Sequence, residues 1–231
     1  MAPTRVLNLD AIEASLRDLQ AHFTQINELL RSRRDSLEAD VVANMIAGYG
    51  FVDSLLAQGI NLLAMGNLKH FLELNALVLF GRDADARGGA AFQIAATEQR
   101  FYDQEGGGIR EVVEWYNLHR ARSPWRRAAG VYISILSEPQ LFIEGNHRTG
   151  ALVMSYILAR EGCPPFVLTT ENARAYLDPS TLVTETRKRS LVALFRLPKI
   201  TRYFAEFLKK QADHRYLIAP PAGHIASRPP R

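Results

Sequence analysis

From Arg148 to Glu161 the chain is almost continuously apolar, and Gly162, Pro164 and Pro165 stop it. A helix that is hydrophobic all round is buried, so this segment belongs inside a core. Its neighbours carry the helical period. Ile12, Leu16, Leu19, Phe23, Ile26 and Leu30 recur at alternating spacings of four and three, with Arg17, Asp18, Gln20 and Gln25 off the stripe. Asp10 and Glu13 stand at capping-box spacing near its start. The stripe reads as a helix packed on its own domain; a seam between two copies needs at least about three heptads. A second periodic stretch spans 36–57 through Val42, Met45, Tyr49 and Val52, ahead of Gly59. A third runs from Asn67 to Phe80 and closes on Gly81. Ile109 to His119 is amphipathic, and Pro124 opens a further helix rich in small and apolar residues. Basic amphipathic helices are expected over 180–196 and 198–211. Alternating runs are few and no repeat is visible, so the fold class is all-α.

Residues 82–109 break the pattern. Asp83, Asp85, Gly88 and Gly89 lead in, and Gly106 to Gly108 close the stretch. It reads as a long surface loop with a hairpin; loops of that length are functional lids or disordered. The prolines at 220, 221, 229 and 230 make the end of the chain read as a disordered tail. Hydrophobic residues make up 47% of the 231 and charged residues 23%, with a net charge of +4, which excludes a disordered chain. The single Cys163 excludes an internal disulfide and a multi-cysteine zinc site. No apolar run reaches the roughly 18–20 residues of a membrane span, so no membrane partner is expected. The modest net charge disfavours nucleic acid. His70, His119 and His214 lack metal-ligand spacing, and Arg187-Lys188-Arg189 reads as a solvated helix face.

One segment carries chemistry: Gln140-Leu-Phe-Ile-Glu-Gly-Asn-His-Arg-Thr-Gly150. Gly145 and Asn146 are the residue types that most easily adopt positive φ. Such a turn leading into a helix aims several N–H groups one way, and the helix dipole adds to the anion-binding nest. Arg148 is a bidentate phosphate donor. Glu144 is placed to hold a Mg²⁺ that neutralises phosphate charge. The plainer reading is a Gly-Asn turn capping the next helix, with Arg148 solvated.

Residues 140–151 resemble the signature of Fic-domain proteins, His-Pro-Phe-x-(Asp/Glu)-Gly-Asn-Gly-Arg-x-x-Arg. Phe142, Glu144, Gly145, Asn146 and Arg148 match it. Gln140 replaces the histidine, Leu141 the proline, His147 the second glycine and Ala151 the last arginine. The flanking stretches 127–136, 151–168 and 174–177 are similar to the family pattern as well. The resemblance implies an all-α Fic-like helical core over 61–212, a β-hairpin flap near 88–102, an N-terminal helical flank over 1–60 and a disordered tail over 213–231. It implies a transferase that moves a nucleoside monophosphate, usually AMP, to a hydroxyl of a target protein. Mg²⁺ with ATP or another nucleotide would be the cofactors. Gly145, Asn146, His147 and Arg148 would bind phosphate, and Glu144 the metal. Gln140 stands where the family has its general base, and a neutral amide takes no proton at pH 7; loss of a base costs on the order of 10²–10⁴ in rate. A degenerate centre is therefore expected: a nucleotide-binding pseudoenzyme or an attenuated protein adenylyltransferase. The alternative is a protein-interaction module with a vestigial cleft. The target protein is unknown, a homodimer stays open, and the expected compartment is cytoplasmic, with secretion into a host left open. Ala43-Asn-Met-Ile-Ala-Gly48 resembles a decayed inhibitory helix of the family or, with equal weight, is a plain packing helix.

Overall fold

The computed structural model describes residues 5–103 and 105–218. These form α1 (Leu9–Glu28), α2 (Ala39–Ala57), α3 (Lys69–Phe80), α4 (Ala84–Gly89), α5 (Ala91–Phe101), α6 (Ile109–Leu118), α7 (Pro124–Leu136), α8 (Asn146–Arg160), α9 (Ala173–Thr184) and α10 (Leu191–Lys210). The fold class is all-α. Pairing of the β type is confined, among the described residues, to single bridges at Leu7–Leu217 and Glu138–Arg187.

The apolar segment read from the sequence is α8, and every residue from Thr149 to Ala159 is buried. α7, α2 and α3 pack around it. Close approach depends on small residues. Gly48 of α2 lies against Leu152, and Gly150 lets α8 meet the Tyr132 ring of α7, where an added Cβ would stand 2.8 Å from it. α7 starts where the sequence marks it: Ser123 accepts the Arg126 N–H and Pro124 occupies the first turn. On the far side of α7, Gly130 receives the Trp115 indole of α6. α10 covers α7 as well, with Phe204 against the Tyr132 ring.

The stripe on α1 turns inward, with Ile12, Leu16, Leu19 and Phe23 buried. α1 and α2 share one apolar cluster with the rest of the chain, from Val6 to Tyr216. The backbone ahead of α1 is fixed by Asp53, whose Oδ1 accepts the N–H groups of Val6 and Leu7, both at 2.8 Å.

Three expectations need correction. The hairpin expected near 88–102 is helical. Asp83 caps α4 by accepting the Asp85 N–H, and seven of the eleven residues of α5 are Ala, Gln, Glu or Arg, which favour helix over strand. The helix break expected at Pro198 falls instead at 185–190: α9 starts at Ala173 and α10 runs through Pro198. Proline removes one bond to the Leu194 carbonyl, in a turn where Leu194 and Pro198 are both exposed. The tail expected from 213 is ordered at its start. Tyr216 is buried, Asn8 N–H donates to the Tyr216 carbonyl at 3.0 Å and Ile218 N–H to the Val6 carbonyl at 2.8 Å. Residues 219–231 lie outside the described residues. No described helix is long and apolar enough to cross a membrane.

Candidate functional site

The loop between α7 and α8 is held by its own side chains. Asn146, 4% exposed, accepts the Phe142 N–H at 2.9 Å and donates to the Phe142 carbonyl at 2.8 Å and to Gln140 Oε1 at 3.0 Å. Gln140 is thereby fixed by an amide pair, and its carbonyl accepts from Arg100 of α5. Asn75 of α3 clamps the outer side, donating to the Glu144 carbonyl at 2.9 Å and to Thr149 Oγ1 at 3.1 Å. Gly145 turns the chain into α8 with φ +73°, a conformation L side chains rarely adopt. Space is tight as well, since a Cβ there would lie 3.0 Å from Asn75 Nδ2. The first α8 bond is Thr149 N–H to the Gly145 carbonyl at 2.9 Å. The N–H groups of the first turn, residues 146–148, have no carbonyl behind them in the helix.

That turn opens on a cavity of about 390 Å³, mostly apolar, between α8, α1 and α2 and the 34–37 segment. Leu19, Phe23, Met45, Tyr49 and Phe166 are among its walls, and Gly145, Asn146, His147, Arg148 and Ala151 line its polar end. Arg34 lines it too. It donates to the Leu177 carbonyl at 3.0 Å and Thr181 Oγ1 at 2.8 Å, while its Nε is buried with no hydrogen-bond partner among the described residues. Arg148 spends one donor on the Val78 carbonyl, 2.6 Å away at the end of α3. Burial lowers its pKa, opposed by the charges of Asp40, Glu144 and Asp35. Asp35 is itself a wall of the cavity, so the polar end is not uniformly positive.

His147 sits beside Tyr132, whose hydroxyl lies 3.3 Å from Nδ1. Burial, and then the charge on Arg34, push its imidazole down to about 4. The ring is neutral at pH 7 and too weakly basic to match a general base poised near neutrality.

Four of the expected site residues, Gly145 to Arg148, therefore meet at one cavity. Gln140 lies behind them, bound to Asn146. Glu144 is exposed, points to Gln93 Nε2 at 3.2 Å and is not a wall of the cavity. Mg²⁺ is held through one or two carboxylates together with phosphate oxygens. A carboxylate outside the cavity, with an amide donor against it, does not fit an ion bridging to phosphate there. No cluster of three His, Cys, Asp or Glu suited to a metal occurs among the described residues.

Sequence reasoning missed Arg34, Asn75 and Arg100. Asn75 had a signal, as an amide on the apolar face formed by Phe71, Leu74 and Val78. Arg34 lies in a run of charges that hides it. The stretch near 88–102 does reach the loop, but through Gln93 and Arg100 on a helix. On α2, Ala43 is exposed and Ala47 is not a wall of the cavity, whereas Gly48 packs on Leu152.

No protein-family model matches the chain, and no curated protein does. Among solved structures, a variant of Fic-1 from C. elegans is similar, with a TM-score of 0.42 and 16% identity, over 87% of this chain and 59% of that one. The chain thus spans about three fifths of the length of that structure.

Proposed function

We propose that the chain is a Fic-like protein with a degenerate centre, which binds a phosphate-bearing small molecule, a nucleotide foremost, and does not transfer it. One observation carries the reading: the first turn of α8, Arg148 and the half-buried Arg34 line one mostly apolar cavity of about 390 Å³. Helix N-termini with converging N–H groups take phosphate, and a cavity of this size suits a small ligand with an apolar body. The Fic part of the reading is supported by the motif run at 140–148 and by its place between two buried helices. The absence of transfer is supported by Gln140, an amide tied to Asn146, and by a His147 too acidic to replace it.

Calorimetric titration with ATP, GTP, CTP and UTP, with and without Mg²⁺, tests it. At least one nucleotide should bind, equally well without the metal. Arg34→Ala should weaken it by about tenfold or more, as expected for a charge-assisted hydrogen bond, and Glu144→Ala should leave it unchanged. No heat with any nucleotide would sink the binding. Labelling of lysate proteins by the wild-type chain would sink the loss of transfer. Gln140→His, alone or with His147→Gly and Ala151→Arg, should leave labelling at background, because residue 140 lies behind the cavity and Glu144 outside it.

A further inference from the structure

The start of α10 is packed inside out. In its first two turns Ala193 is turned inward, at 3% exposure, while Leu191, Leu194 and Phe195 stand 79%, 67% and 74% exposed. Positions 191, 194, 195 and 198 share one helix face by their spacing. Across a groove of about 540 Å³ between α10 and α6–α7, Leu118 is 81% exposed. Large apolar side chains gathered on a surface mark a contact, because they add nothing to the fold that presents them.

The surrounding charge says what the contact is. Between Glu185 and Glu206 the chain has six Lys and Arg and no carboxylate. Arg196, Lys199 and Arg202 are exposed and continue the helix past the apolar face. Arg122 and Arg126 line the groove on its other side. The two acids in the groove are engaged, Glu111 by Arg189 at 2.6 Å and Glu114 by Arg110 at 2.7 Å. A two-fold contact through this face would bring the basic clusters of both copies to one interface with no acid between Glu185 and Glu206 to offset them, which argues against a second copy.

We propose that this face lies on an anionic bilayer surface, with Leu191, Leu194 and Phe195 in the acyl boundary and Arg196, Lys199 and Arg202 among the headgroup phosphates. A surface-bound amphipathic helix places its apolar face about 5–10 Å deep and its cations at the anionic headgroups. The sequence expectation of no membrane partner rested on the lack of a spanning segment, and a helix lying on the surface needs none. This inference does not depend on the cavity at α8.

Co-sedimentation of the full chain with vesicles tests it. Vesicles with about a third phosphatidylserine should bind it at least about tenfold better than pure phosphatidylcholine. Leu194→Asp with Phe195→Asp should reduce binding to the phosphatidylcholine level, and Lys199→Glu with Arg202→Glu should lower it about tenfold. All four side chains are exposed, and helical circular dichroism checks the fold; if the double aspartate variant does not fold, Phe195→Ser alone serves. A wild-type chain left in the supernatant, or variants that bind as it does, overturns the proposal. So does a concentration-dependent dimer abolished by Phe195→Ser, which would give the face to a second copy.

Discussion

Asn146 bears on the site more through what it holds than through what it offers a ligand. Its amide closes the loop onto Phe142 and Gln140. Asn146→Ala would leave a buried N–H and a buried carbonyl unpaired, at about 2–3 kcal/mol of stability by urea denaturation. His147 gives a pH signature. Its pKa falls from 6.5 to about 4 because burial favours the neutral ring. Above pH 6.5 both folded and unfolded chains hold it neutral. As pH falls toward 4 the unfolded chain takes up the proton and the folded one does not, so stability is lost. At pH 5 the loss is about 2 kcal/mol. The urea midpoint should therefore drop between pH 7 and pH 5 in the wild type, and drop less in His147→Gln. Equal drops in the two proteins would mean that the ring is not held neutral.

At the level of elements, α8 and its flanking turns are legible because an apolar run stopped by Gly162, Pro164 and Pro165 can only sit in a core. The loop was legible as a turn, since Gly145 and Asn146 are turn formers. The partners that fix it were not, because Asn75 and Arg100 come from helices distant in sequence and no local pattern announces a tertiary hydrogen bond. The hairpin expectation fails for a local reason. In Ala91 to Phe101 the period is masked by Phe92, which stands 88% exposed, so propensity is the better guide than patterning. The α6–α7 contact yields a prediction with two opposed effects. Alanine in a helix interior is favoured over glycine by about 1 kcal/mol. At Gly130, however, the added methyl would overlap the Trp115 indole. Overpacking costs typically about 1–3 kcal/mol, so Gly130→Ala should be net destabilising and should alter the near-ultraviolet dichroism of Trp115. A stabilised variant would show that the indole has room to move.

Across the whole molecule, the two ends of the described chain are joined. Asn8 Nδ2 donates to the Arg215 carbonyl at 2.9 Å, Ser15 Oγ meets the Tyr216 hydroxyl at 2.8 Å, and Leu7 pairs with Leu217. Asp53 secures the same strip from inside. Asp53→Ala would strand the Val6 and Leu7 N–H groups, with a loss of roughly 2–3 kcal/mol in thermal or urea unfolding. Unchanged stability would mean that the strip contributes little to the core. The join also bears on synthesis. Asn8 and Arg215 are 207 residues apart. At about 5–20 residues per second, roughly 10–40 s separate their translation. Through that interval the first helix has no C-terminal strip to close over it. The seal is set only when the segment around Tyr216 clears the ribosome, so a nascent chain stalled before that point should be cut by protease near residues 5–8, and the released chain should resist.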